Sequence, residues 1–246
     1  MATENRPVRR LRDLMRGATL SSWCIGGLFM VGAFCFALGS LPAFFNLADS
    51  ALVAWVFFGG SIFFTVASYL QFRECLAAPE TIDPAGSRKQ GLRYLVGWRT
   101  RSLGWWATAI QLAGTILFNI STFAATRQDL AVDQERKLIW APDFWGSACF
   151  LIASVLAYVE VSPRIWRHPR RDLGWHIALL NLVGSVAFGL AAIGARYLPT
   201  TSEPANIALV NAGTFVGAVC FFVGAALLPA ESAGSERAPK VASNMN

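Results

Sequence analysis

The chain has 246 residues, 54% of them hydrophobic, with a mean hydropathy of +0.45 and a formal net charge of +6. That is too apolar for a water-soluble domain, and the placement of the basic residues points to a membrane surface and away from nucleic acid. Six apolar runs match a hydrocarbon core ~30 Å thick at ~1.5 Å rise per residue; the longest connection, 73–102, leaves no room for a soluble catalytic domain.

In chain order, a basic tail (1–18) precedes a first hairpin, 19–72, with spans near 19–43 and 50–72. A basic loop, 73–102, leads to a second hairpin, 103–161, with spans near 103–125 and 142–161. The loop 162–171 leads to a third hairpin, 172–229, with spans near 172–195 and 206–229, and the tail 230–246 follows. A backbone in lipid must satisfy its own hydrogen bonds, and the period-two alternation of a barrel is absent, so the spans are predicted to be helices. The predicted fold is all-α, with six transmembrane helices as three tandem hairpins whose ends all lie inside. The first apolar stretch is too long for a secretory signal and lacks a convincing cleavage site, so it is expected to remain as the first helix.

Charge sets the orientation. Seventeen of the 21 Lys and Arg residues lie in the two tails and the loops 73–102 and 162–171. The opposite side holds Arg127, Arg136, Lys137 and Arg196. By the positive-inside rule both termini are expected in the cytoplasm. Tryptophans cluster near the predicted membrane surfaces, as their amphipathic rings prefer: Trp23, Trp98, Trp105, Trp106, Trp166 and Trp175 at one, Trp55, Trp140 and Trp145 at the other. The segment 88–101 (RKQGLRYLVGWRTR) interleaves Arg with apolar residues and is expected either to lie against anionic lipid or to serve as ordinary positive-inside charge.

One pattern recurs in every span. Gly32, Gly60, Gly114, Gly146, Gly184 and Gly217 are each followed by a small residue, by Phe four places on, and by two small residues at seven and eight. The phenylalanines are Phe36, Phe64, Phe118, Phe150, Phe188 and Phe221. At ~100° per residue, positions seven apart nearly eclipse, which puts two adjacent stripes of small side chains on each helix with the Phe between them. Such stripes let helices approach closely, so the six glycines are predicted to be packing positions; a pore or lipid pocket is the alternative. The hairpins could surround a pseudo-threefold axis or open as a row.

Polar residues in the spans are few. Asp143, after Trp140-Ala141-Pro142, reads as a helix opening with a carboxylate at the positive end of the dipole. A sharper reading pairs it with Arg127 across the central hairpin. Asn119, Gln111 and Asn181 read as interhelical glue. His176 could titrate near neutral pH but has no second ligand at metal spacing. The five cysteines (Cys24, Cys35, Cys75, Cys149, Cys220) show no paired spacing. No phosphate loop, HExxH or GxSxG motif is present, so neither a cofactor, a metal nor an enzymatic activity is expected.

Residues 60–72 (GSIFFTVASYLQF) and 146–158 (GSACFLIASVLAY) resemble the second helix of YrhK-like domains, two-helix modules of bacterial membrane proteins with a Gly-Ser-x-x-Phe pattern. The resemblance implies three degenerate copies of that module, residence in the bacterial plasma membrane, and no particular activity; Gly217-Ala218 departs from the pattern. The expected function is non-enzymatic, acting through packing with a second copy, a partner protein or lipid. The alternative is a small transporter or channel through the bundle.

Overall fold

A computed structural model describes residues 18–77, 102–127, 129–162, 172–198 and 203–243, with side chains described up to residue 234. The segment 88–101 lies outside the described residues. Among the described residues there are eight α-helices: α1 (Leu20–Ser40), α2 (Pro42–Phe45), α3 (Ser50–Ala77), α4 (Leu103–Ala125), α5 (Val132–Glu135), α6 (Ala141–Val161), α7 (Leu173–Gly194) and α8 (Ile207–Ser243). Six stretches are long and apolar enough to cross a membrane, as predicted: α1, α3, α4, α7, the α8 segment Ile207–Gly234, and Val132–Val161.

Helix ends follow from local chemistry. Thr19, Asp49, Ser102, Asp172 and Asn206 each accept a hydrogen bond from a backbone N–H two or three residues on, satisfying a donor that the first helical turn leaves unpaired. α1 ends at Ser40, short of the expected residue 43, because Leu41 precedes Pro42 and adopts an extended conformation at φ −78°, ψ 126°. The fourth span departs most from expectation. The helix runs from Val132 through a π-turn, Arg136–Trp140, directly into α6. Ala141 N–H donates to the Arg136 carbonyl, one residue beyond the α-helical partner. The next residue, Pro142, has no N–H and would crowd a tight turn, so the widening accommodates it.

Each long helix packs on two neighbours, in the order α1, α3, α4, α6, α7, α8 and back to α1. The ring is closed, and Thr19 Oγ1 before α1 lies 3.4 Å from Ser232 Oγ on α8. The end of the bundle holding these two residues is here termed proximal, the other distal.

The repeated pattern builds this ring. Within each hairpin the motif glycines meet back to back. A methyl group on Gly32 would lie 2.9 Å from the Gly60 carbonyl oxygen, and one on Gly60 would lie 3.1 Å from that of Gly32. Gly114 and Gly146 stand in the same relation at 3.1 Å each way, and Gly184 and Gly217 at 3.1 and 3.0 Å. The second stripe faces the next hairpin: Ser61 Oγ meets Thr122 Oγ1 at 2.9 Å, and Ser154 Oγ meets Ser185 Oγ at 2.8 Å. Aliphatic residues six positions after five of the six glycines (Val66, Ile120, Ile152, Leu190 and Val223) point outward, 41–51% exposed. Lipid is the natural neighbour of that surface.

Candidate functional site

The phenylalanines between the two stripes all reach the axis of the ring. Phe36, Phe118 and Phe188, on α1, α4 and α7, form a triangle with ring centroids 5.9–6.3 Å apart. Phe64, Phe150 and Phe221, on α3, α6 and α8, form a second triangle at 5.6–6.3 Å. Within each hairpin the two layers are joined at 5.2–5.7 Å. Every one of these rings is buried, none more than 7% exposed. Edge-to-face and tilted packing suits the aromatic quadrupole and is worth roughly 0.5–1.5 kcal/mol per pair beyond burial. This trigonal prism of phenylalanine fills the middle of the axis.

Seven residues is ~700° of helix, so each Phe has axial neighbours seven positions before and after it. On the distal side these positions hold Phe57, Asp143 and Thr214, with Ala43, Ala125 and Ala195. On the proximal side they hold Phe29, Gln111 and Asn181, with Gln71, Ala157 and Leu228. The first hairpin keeps the column aromatic at both ends, through Phe57 on Phe36 at 5.3 Å and Phe29 on Phe64 at 5.7 Å. The other two hairpins place polar groups at the equivalent positions. The pseudo-threefold symmetry is therefore broken where chemistry can occur.

Proximal to the prism a cavity of about 40 Å³ is lined by Phe29, Gln71, Gln111, Asn181, Phe221 and Leu228 among others. Gln111 Nε2 donates to Gln71 Oε1 at 3.1 Å and to Ser68 Oγ at 3.3 Å. The Asn181 amide lies where Gly224 leaves space, its Oδ1 only 3.0 Å from where a side chain at 224 would begin. Gln71 was not singled out in the sequence; its spacing of seven from Phe64 was the available signal.

Asn119 does not reach the cavity. Its Nδ2 donates to Thr65 Oγ1 at 2.8 Å across α3 and α4, while its Oδ1 is buried without a partner. His176 sits at the proximal start of α7, its Nδ1 2.6 Å from the Asp172 carbonyl and its ring 5.1 Å from Trp175. It is not brought together with the amides.

The paired reading of Arg127 and Asp143 is not realised. Arg127 Nε lies 3.6 Å from Asp129, both side chains largely exposed; a residue two positions away in the same turn outcompetes one on the next helix. The reading of Asp143 as a helix opening also fails, because its helix is already eleven residues long at that point and needs no cap there. Asp143 is instead half-buried on the axial stripe, two turns distal of Phe150, and no described residue offers its carboxylate a hydrogen bond or ion pair.

Above Asp143 the distal mouth is tied down from two sides. Trp140 Nε1 donates to the Ala192 carbonyl at 3.0 Å. The Tyr197 hydroxyl donates to Glu135, and burial, followed by the Glu135 charge and that hydrogen bond, raises the phenol above its ordinary range. Among the described residues no group of His, Cys, Asp and Glu is arranged to hold a metal ion. No family model, curated protein or solved structure matches this chain.

Proposed function

We propose that this is a non-enzymatic, multi-pass membrane protein that works by binding and not by conducting solute along its axis. One observation carries the reading: two interlocked layers of phenylalanine fill the axis at mid-bundle. The small-residue stripes are consumed inside the ring, so partners and lipid meet the outer aliphatic surface and the two ends of the bundle. Three copies of a YrhK-like hairpin, a bacterial plasma membrane and cytoplasmic termini belong to the same proposal, supported by the repeated motif and the charge asymmetry.

A gated passage is the second reading. It is favoured by the polar residues that flank the prism on its own axial stripes, Asp143 on one side and Gln71, Gln111 and Asn181 on the other, since hydrophobic constrictions can gate by dewetting. Solute release from proteoliposomes separates the two. Wild-type protein should release small ions and neutral solutes no faster than protein-free vesicles, whereas Phe118→Ala/Phe150→Ala should leak. Wild-type flux that saturates with solute would establish the second reading. Labelling of cysteines introduced at 133 and 235 in intact cells should mark only the first; the reverse pattern overturns the orientation.

A further inference from the structure

We infer that the cavity proximal to the phenylalanine prism is a binding site for a small neutral molecule that both donates and accepts hydrogen bonds, of the primary-amide class. Three carboxamides from three helices converge on it: Gln71 from α3, Gln111 from α4 and Asn181 from α7. Their hydrogen-bonding capacity is only partly used. Gln111 spends both Nε2 protons on Gln71 Oε1 and Ser68 Oγ, which leaves its own Oε1 as an acceptor. Gln71 keeps its Nε2 protons, and the side-chain amide of Asn181 has neither donor nor acceptor matched by any described residue. The site therefore offers two donor groups and two acceptor groups, the inventory that a carboxamide or urea completes. Gln71, Gln111 and Asn181 are each partly buried, and a complementary ligand would satisfy the polar groups that the protein leaves unmatched there.

Charge argues against an ion. None of the lining side chains is ionisable, and a bare charge placed there would lose its water without gaining a counter-charge. Size sets the upper limit. About 40 Å³ accommodates roughly three waters at ~10–15 Å³ each, matching a solute of about three or four heavy atoms. The apolar wall, with Phe29, Phe221 and Leu228, suits the carbon face of such a molecule. Gly224 is part of the construction, because a side chain there would push the Asn181 amide out of position.

This inference does not depend on whether the axis conducts, and an equilibrium binding measurement keeps the two questions apart. Saturation-transfer NMR on detergent-solubilised full-length protein, with acetamide as the probe, should show saturable binding. Formamide should displace it, and acetate, its charged isostere, should not. Gln111→Leu and Asn181→Leu should each weaken binding at least tenfold, and Gly224→Ala should do the same by displacing the Asn181 amide, with every carboxamide retained. The wild-type competition alone decides if a variant fails to fold. Absence of saturable acetamide signal would mean that the cavity holds water only, and displacement by acetate or equal binding in the variants would mean that the probe binds elsewhere. Either result overturns the assignment.

Discussion

The three seams between hairpins use equivalent positions yet hold together differently. The α3/α4 and α6/α7 seams are lined by hydroxyls: Ser61 with Thr122, Asn119 with Thr65, Gln111 with Ser68, and Ser154 with Ser185. Ser185 also donates to the Phe150 carbonyl, and Ser154 to that of Asn181. The α8/α1 seam, which closes the ring, has Ala33, Ala218 and Ala225, each at most 5% exposed. Its motif hydroxyl, Ser40, donates to carbonyls of its own helix, Phe36 and Ala37, and Thr19 and Ser232 meet across the seam only at its proximal end. Interhelical hydrogen bonds fix register directionally, whereas alanine against backbone relies on shape alone. The closing seam should therefore be intolerant of volume and indifferent to polarity, and the other two seams more sensitive to loss of a hydroxyl.

The largest effect should come from volume at the closing seam. Ala218 is 0% exposed, and Ala218→Leu should destabilise the bundle by about 3 kcal/mol through overpacking; Val219→Leu, on the 41% exposed neighbour, should be nearly neutral. Thermal unfolding in detergent checks both, and equal effects would mean that the seam does not exist.

Next come the hairpin contacts, which allow a control one residue away. A methyl at Gly60 would lie 2.8 Å from Cys35 Cβ, while one at Gly59 meets nothing within 4 Å. Gly60→Ala should cost about 1–2 kcal/mol by overpacking, and Gly59→Ala should be neutral or stabilising, since alanine is the better helix former by about 1 kcal/mol.

Hydroxyl loss should be smaller still. A double-mutant cycle on Ser61→Ala and Thr122→Ala should give a coupling of roughly 0.6 kcal/mol, the scale typical of hydrogen bonds between membrane helices. Ala218→Ser, which offers Ser40 a partner on the closing seam, should shift stability by less than about 0.5 kcal/mol. A large gain there would show that the alanine seam is short of polar contacts and not sufficient by shape.

The gentlest perturbation acts on the distal mouth. Tyr197 has its acidity suppressed in the fold, so the stability it contributes is complete below its ordinary pKa of 10.0 and is lost as pH rises through its higher folded value. Proteolytic accessibility of the 126–140 segment should rise only in that alkaline window, and Tyr197→Phe should abolish the pH dependence.

The helices were legible because lipid imposes length and apolarity on a spanning segment, and the axial phenylalanines because a seven-residue period keeps positions on one face. What stayed hidden was relational. Asp143 follows a proline as helix openings do, and nothing local shows that the helix has already started at Val132. Arg127 and Asp143 bracket one loop, which suggests a pair, but Asp129 is nearer in the chain and takes the contact. The proximal cavity needed three helices from three hairpins in register, and the choice between a closed ring and an open row could not be read from any one hairpin.

That choice is the central claim, and Thr19 and Ser232 test it most directly, because they lie at opposite ends of the chain with side-chain oxygens 3.4 Å apart. With the five native cysteines replaced, Thr19→Cys/Ser232→Cys should form a disulfide within one chain under mild oxidation. Non-reducing electrophoresis should then show a faster-migrating monomer in nearly full yield, independent of protein concentration. A cross-linked dimer, or no cross-link in folded protein, would contradict closure and put the three hairpins in an open row.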